Sequence, residues 1–462
     1  MLELKSKQKL STEAHAMAVS LGLVRYRSQL YAPMDYETHE VGLAPVDRQV
    51  WQPLTRDDIR DLAAAQFSTL FGTEAELSGF HFMVTQNATP YNHEVSGLFV
   101  RTTAGLRVLN SRGALVAPDG RFLPNYLKPA LNENKADKKA VFNIIAEWVG
   151  GEADAHSLLN HLATCLAPNW SAVKYVILLG EGRNGKGVLL KMLSGLFGVE
   201  NISHVTRQHM AEQNPVVTEL NGKLLNVIFD GQADYLKDSG TEKTLVAGEP
   251  VPIRKLYESS STIVQTNALF IEGLNLEPKS KDKSSALQKR LVRFGFPNVY
   301  PLDPKFAKKM VSERRLGAFL SLLIDHFVTE DNVVQALALT AKSVDLQLEH
   351  TFTNSIALQF FQYVTLNDPL GQDSLLGVPV TDLANRFRAW RVKENDLGLW
   401  AEPDIKALFK PLLNMERKSV RVNGSVTKAW VTTSFRDEAI GYLNTLKGDE
   451  ADETEQLEVV GE

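Results

Sequence analysis

The sequence predicts a multidomain α/β protein, in which a parallel sheet with flanking helices is preceded by an α+β region with a helical collar. Three observations predict it. Tyr175–Leu179 (YVILL) and residues 224–229 (LLNVIF) are nearly continuous apolar runs, as parallel strands buried on both faces require. An apolar helix over residues 188–197 lies between them, and alternation of strand and helix marks an α/β core. A glycine-rich turn joins the first strand to that helix.

Taken in order, residues 54–71 have helical spacing, opened by a Thr55 cap with acids in the first turn. Residues 79–84, 97–101 and 105–110 read as short strands separated by Asn, Gly and Pro turns. Residues 136–166 are helical, broken at Gly150-Gly151. A third, weaker strand is expected at residues 261–265, helix over 304–328, and a linker or further helix over 334–348. Residues 350–447 give three helices, the last over 403–415, and a hairpin over 419–433 turning at Asn423-Gly424. That order is the pattern of a winged helix. The tail from Gly448 is acidic without a basic residue and is expected to be disordered. The expected divisions are an accessory region 1–120, a collar 121–172, the α/β core 173–333, a winged-helix-like domain 345–447 and the tail 448–462.

Composition narrows the function. The chain has 462 residues, 44% of them hydrophobic, enough for several real cores. A single cysteine, Cys165, excludes a disulfide framework and a cysteine-based zinc site, and fits a reducing compartment. The N-terminus lacks a signal-peptide core, and no apolar run approaches the roughly 20 residues that span a bilayer. A cytoplasmic protein without membrane partners is expected. The net charge of -5 leaves room for local basic surfaces. The histidines show no metal spacing; His156 and His161 do not share a helix face. No Gly-x-Ser-x-Gly elbow is present.

The most informative segment is Gly180-Glu181-Gly182-Arg183-Asn184-Gly185-Lys186-Gly187, set between a buried strand and an apolar helix. That context is the one a P-loop requires. Gly180, Gly182 and Gly185 let backbone N–H groups curl into an anion nest, which Asn184, Gly187 and Val188 complete. The helix N-terminus adds its dipole, and Lys186 can reach the β- and γ-phosphates. The same letters satisfy a dinucleotide pattern, which needs an acid about 20 residues on at a strand end. Glu200 has the distance but precedes an apolar stretch, and the lysine is gratuitous there. A nucleoside triphosphate is the favoured ligand. Gly187 stands where a P-loop usually has the Ser or Thr that ligates magnesium.

The second strand ends at Asp230, with Asp234 four residues later. An acid at that end can orient Mg2+ and help activate water, and Asp234 is the substitute. The expected strand 261–265 leads into Thr266-Asn267, where the Asn267 amide can contact γ-phosphate and water.

This ordering resembles superfamily 3 helicases of the AAA+ class, in particular the phage and plasmid primase-helicase group related to the poxvirus uncoating ATPase. The resemblance covers residues 135–300 and rests on ILLGEGRNGKGVLLKML, LLNVIFD, EKTLVAGEPVPIRKLY, VQTNALF and ALQKRLVRF in order, with a weaker echo in the C-terminal domain. It implies a homohexameric AAA+ ring with ATP between subunits, Arg290 acting across the interface as a finger and Arg293 as the alternative. It also implies that Lys255, beside Arg254, lies on a hairpin that tracks single-stranded DNA in the channel. Lys279, Lys281 and Lys283 are further basic candidates, as are Arg386, Arg388, Arg391, Lys393, Lys418, Arg421 and Lys428 in the C-terminal domain. The first 120 residues are too short for the family's polymerase domain, so a separate primase or polymerase is expected as a partner. The departures, Gly187, the lone Asp230 and Lys289 where an arginine pair is common, keep a second class open: a ring that binds nucleotide and DNA as a loader or architectural module with little hydrolysis. A metabolic P-loop kinase ranks third.

Overall fold

The computed structural model describes residues 7–27, 29–42, 44–93, 95–167, 175–231, 240–254, 261–275, 290–344, 346, 356–393, 401–410, 412–422 and 425–436. The chain forms two units, Met1–Leu346 and Gln347–Glu462. Among the described residues, no helix is long and apolar enough to cross a membrane.

The first unit opens with helix α1 (Lys7–Ser20) and strands β1 (Val24–Tyr26), β2 (Gln29–Asp35) and β3 (Gln49–Leu54). Helix α2 (Arg56–Phe67) starts where the sequence put it, at a Thr55–Asp58 capping box. It stops earlier, at Ser68 in the left-handed region. Residues 79–84 are not a strand but part of helix α3 (Glu74–Asn87). Thr73 caps that helix, Glu74 and Glu76 favour its first turn, and Leu77, Phe80 and Val84 are buried at helical spacing. Strand β4 (Thr89–Pro90) completes a sheet ordered β3-β2-β1-β4. Strands β5 (Gly97–Thr102), β6 (Gly105–Asn110), β7 (Leu115–Val116) and β8 (Tyr126–Leu127) form a second, ordered β7-β6-β5-β8.

Helices α4 (Lys135–Val149) and α5 (Glu152–Ala163) are separated at Gly150, whose φ of 80° ends α4 in the left-handed cap that glycine favours. They lead to the parallel sheet. Its strands are β9 (Tyr175–Leu179), β10 (Ile202–Ser203), β11 (Leu225–Ile228), β14 (Leu269–Leu274) and β15 (Leu291–Gly295), ordered β10-β11-β14-β9-β15. Helix α6 (Lys186–Phe197) follows β9, α7 (Arg207–Ala211) follows β10, and α8 (Gly240–Val246) follows β11. The expected third strand corresponds to β13 (Ser261–Val264), which pairs antiparallel with β12 (Val251–Arg254) outside the parallel sheet. The strand beside β9 is instead β14, a fully buried run. Helices α9 (Pro304–Met310), α10 (Glu313–Asp325) and α11 (Val333–Ala336) close the unit.

Strand alternation sorts the core into two faces. Val176, Leu178, Val227, Ile271 and Val292 pack with residues of α4, α5, α6 and α10. Tyr175, Ile177, Phe270, Leu274 and Leu291 pack with residues of α7, α8 and the β12–β13 hairpin. The helical segments before β9 therefore buttress the same side of the sheet as α6.

On that side His156 meets His326. The His326 Nδ1–H donates to the Leu322 carbonyl (2.7 Å), leaving Nε2 to accept from His156 Nδ1–H (2.8 Å). Burial holds the His326 pKa below the ordinary histidine value; the Leu322 bond opposes this, His156 and Lys138 add to it, and Asp325 opposes it. A depressed histidine contributes stability that is intact above its unfolded pKa of about 6.5 and is lost as pH falls through the folded value. The unfolding midpoint of the wild type should drop more steeply between pH 7.5 and 5.5 than that of His326→Gln. Parallel slopes in denaturant titrations would refute this.

The second unit contains α12 (Ile356–Asn367), α13 (Val380–Lys393), α14 (Glu402–Phe409) and strands β16 (Leu413–Val422) and β17 (Ser425–Phe435). The last helix ends at Phe409, not at 415: Asn414 and Met415 already pair with β17. Phe360, Phe387, Trp390 and Phe409 form its aromatic core. Trp430 lies half-exposed under the Lys406 ammonium, 3.4 Å from the ring centre. The expected turn at Asn423-Gly424 and the tail from Gly448 lie outside the described residues.

Candidate functional site

The carboxyl ends of β11, β14 and β9 lie side by side, and the glycine-rich loop leaves the last of them. Pairing carries the loop against its neighbour: the Gly180 N–H donates to the Leu274 carbonyl at 3.2 Å. Gly180, Gly182 and Gly185 have φ of 157°, 102° and 99°, and Arg183 between them is also positive at 48°. Successive left-handed residues turn backbone N–H groups inward, the construction of an anion nest. Space as well as dihedral angle requires glycine at the ends of this loop. A Cβ at Gly185 would sit 2.6 Å from the Trp148 ring of α4, and one at Gly180 would sit 2.6 Å from the Phe296 carbonyl. Helix α4 therefore closes over the loop through Trp148, a contact the sequence did not signal.

Lys186 opens α6 and is buried at 7% exposure. Its ammonium donates to the Gly180 carbonyl and to Asn184 Oδ1 (3.1 Å), while Asn184 Nδ2 donates to Phe296 O (3.3 Å). Asn184 thus ties the lysine to the backbone beyond β15. Burial holds the Lys186 pKa below the ordinary lysine value, and the charge of Asp230 opposes the fall. That coupling joins the loop to the exposed end of β11 across the intervening strand. Gly187 and Val188 follow in the first turn of α6; a Cβ at Gly187 would meet nothing within 4 Å.

The structure redistributes the other sequence-predicted residues. Asn267 precedes β14 and so lies at its amino end, the far edge of the sheet from the loop. Asn275, exposed immediately after Leu274, occupies the carboxyl end where an amide was expected. The signal was legible as an apolar run, LFIEGL, ending in Asn, but it was hidden by the Thr-Asn pair upstream. Arg290 is half-buried just before β15, where its carbonyl accepts from the Tyr175 N–H at 2.8 Å, again at the edge away from its own loop. Arg293 is 1% exposed inside β15, so burial in its own sheet removes it as the alternative finger. Arg254 is exposed at the end of β12. Lys255, Asp234, Lys279, Lys281, Lys283 and Lys289 lie outside the described residues.

On the face of the sheet opposite α6 runs a buried polar chain that sequence reasoning missed. Arg207 Nε donates to Glu242 Oε1 at 2.8 Å, and its guanidinium lies 5.6 Å from the Tyr175 ring centre. Burial lowers the Arg207 pKa, but Glu242, Tyr175 and Glu272 outweigh it and leave the group firmly charged. Tyr175 in turn donates its hydroxyl to Glu272 Oε2 at 3.0 Å. In the second unit, several of the basic candidates are engaged locally. Arg386 pairs with Asp368 at 2.8 Å, Lys393 donates to the Tyr363 hydroxyl at 2.7 Å, and Arg391 stacks on Trp390.

Among the described residues, no group of three or more His, Cys, Asp or Glu gathers as a metal cage. The loop provides an anion nest with a buried cation, and Asp230 provides a carboxylate facing it electrostatically. Such a nest with a carboxylate across from it could hold an anionic ligand such as a polyphosphate.

Comparison with known proteins adds fold and little else. No curated protein matches the chain. A model of a family of unknown function (DUF5906) matches residues 178–290, from the end of β9 to Arg290. The A-form apo structure of the NrS-1 C-terminal region resembles the chain at TM-score 0.50 and 12% identity, covering 91% of this chain and 98% of that one. A second structure of that region, residues 305–718, gives the same values. The chain therefore shares the fold of the NrS-1 C-terminal region, and its loop, acid and amide fall within a stretch similar to DUF5906.

Proposed function

We propose that the chain is an ATP-driven helicase of the AAA+ superfamily 3 type, acting as a hexameric ring on single-stranded DNA during replication of a phage or similar element. One observation carries the reading: a strained glycine loop holding a buried lysine, coupled in charge to Asp230 at the end of a strand in the same parallel sheet. Ligands of open parallel sheets bind outside the carboxyl ends of the strands. The P-loop of Gly180, Gly182, Asn184, Gly185, Gly187 and Val188 would cradle the phosphates, with Lys186 against the β- and γ-phosphates. Asp230 would hold Mg2+, which neutralises charge on the transferred phosphoryl group. Asn275 replaces Asn267 as the amide facing the γ-phosphate.

The position of Arg290 suits a group that serves a neighbouring subunit, since it lies at the edge remote from its own loop. The antiparallel β12–β13 pair ends at the exposed Arg254, which supports the role given to Arg254 and to Lys255 next to it in sequence. In the second unit, three helices followed by a hairpin support a winged-helix reading. The test is ATP turnover by the assembled protein with and without single-stranded DNA. Stimulation that disappears in Lys186→Ala is expected; an assembled ring indifferent to DNA argues against a motor.

Gly187 favours a second reading, a nucleotide-dependent DNA-binding ring with weak hydrolysis. Because a Cβ there has open space, Gly187→Ser is a clean probe. On the second reading, restoring the hydroxyl raises turnover about tenfold or more, equivalent to about 1.4 kcal/mol at the barrier. Unchanged, robust turnover removes it.

A further inference from the structure

The second unit gathers cations that its own carboxylates leave uncompensated. In the β16–β17 pair, Arg417 lies opposite Trp430 and Ser419 opposite Lys428, so alternation puts these residues on one face and Glu416 and Lys418 on the other. On that other face Glu416 and Lys418 pair with each other at 3.2 Å. The first face is turned toward α14, whose Lys406 ammonium sits over the Trp430 ring. Lys410 follows at the end of that helix, exposed like Arg417 and Lys428. Among the described residues, none of Lys406, Lys410, Arg417 and Lys428 has a carboxylate within ion-pair distance. Loss of water holds the Lys406 pKa below the ordinary lysine value; Lys410 and Arg417 add to the fall, and Glu402 opposes it.

Like charges kept together repel, and a cluster of this kind complements a polyanion. Trp430, at its centre, is 43% exposed, and among the described residues it is the one tryptophan left exposed. An open indole beside cations is the platform on which an unpaired base stacks while its phosphates meet the charges. The start of α14 is unsuited to phosphates, because exposed Glu402 and Asp404 occupy its first turn. The hairpin face, not the helix N-terminus, therefore carries the attraction. A duplex has its bases already stacked on one another and would leave the indole unused. We infer that the hairpin face around Trp430 binds single-stranded nucleic acid, with a base on the indole and the backbone running past Lys406, Lys410, Arg417 and Lys428. This names the contact made by the second unit; it rests on the DNA reading above and does not require ATP.

The experiment follows fluorescence anisotropy of a labelled thymidine oligonucleotide, and of its duplex with an adenosine strand, as the full chain is added without nucleotide over a salt series. It compares wild type, Trp430→Ala, Trp430→Phe and the pair Arg417→Ala with Lys428→Ala. Each is also made in the Arg254→Ala, Lys255→Ala chain, so that binding through the first unit does not mask the result. Trp430→Ala should weaken single-strand binding by about fivefold or more at an unchanged salt slope, the loss of one stacked base. Trp430→Phe keeps an aromatic face and should stay within about threefold. The Arg417, Lys428 pair should flatten the slope of log affinity against log salt by about 1.4, at about 0.7 for each phosphate contact. Unchanged affinity and slope in all of these variants, in both backgrounds, overturn the inference while leaving the DNA reading intact. Duplex binding as tight as single-strand binding, with neither weakened by Trp430→Ala, also overturns it. Wild type that binds neither oligonucleotide overturns the DNA reading itself. If Trp430→Ala does not fold, the salt slope of the Arg417, Lys428 pair decides, and an unchanged slope overturns the inference.

Discussion

Lys186→Ala should lower ATP turnover by about 10²–10³, the cost of removing one preorganised donor from developing phosphoryl charge. The argument is electrostatic. The ammonium is buried and held by two acceptors, with the charge of Asp230 opposing the effect of burial, so its replacement removes the buried cation that would meet the phosphates. Stability should respond in the other direction, because deleting a desolvated lysine removes a group that burial already penalises. A loss of turnover at unchanged or raised melting temperature is therefore the expected pair of readouts. Turnover within a factor of three of wild type would contradict the role given to Lys186.

The second large effect concerns the buried Arg207–Glu242 pair on the sheet face opposite α6. Glu242 is 1% exposed and its bond to Arg207 is nearly closed to water. Removing one member of such a pair strands the other charge, at a cost of about 3–5 kcal/mol. Glu242→Ala should show that loss in guanidinium unfolding. Replacing both, as Arg207→Met with Glu242→Leu, should recover most of it, because two well-packed apolar side chains avoid the desolvation that the ion pair must offset. A single variant within 1 kcal/mol of wild type would show that the pair is solvated in solution.

The sequence revealed the elements whose signals are local. Thr55 with Asp58 marked a helix start, Gly150 a helix end, and YVILL a strand buried on both faces. It misled where one segment carried two signals. Residues 79–84 alternate enough to suggest a strand, but a cap at Thr73 and burial at 77, 80 and 84 commit them to helix. The Thr-Asn pair at 266–267 looked like the end of a strand because a short β-run precedes it; pairing with β12 takes that run out of the parallel sheet and hands the central place to β14. Arg293 shows the same limit. Its charge suggested a surface, and only the register with Ile177 on β9 reveals that it is enclosed. Trp148 over Gly185, and Glu272 under Gly231, are contacts between segments far apart in the chain, for which a single sequence carries no spacing rule.

The central claim is that the loop at 180–187 grips a polyphosphate. Equilibrium titration of ATP and Mg2+ into the full chain, followed by calorimetry, tests it most directly. The account predicts saturable binding of one nucleotide per chain that weakens at least tenfold in Lys186→Ala. No heat of binding, or equal affinity in the two proteins, would contradict it.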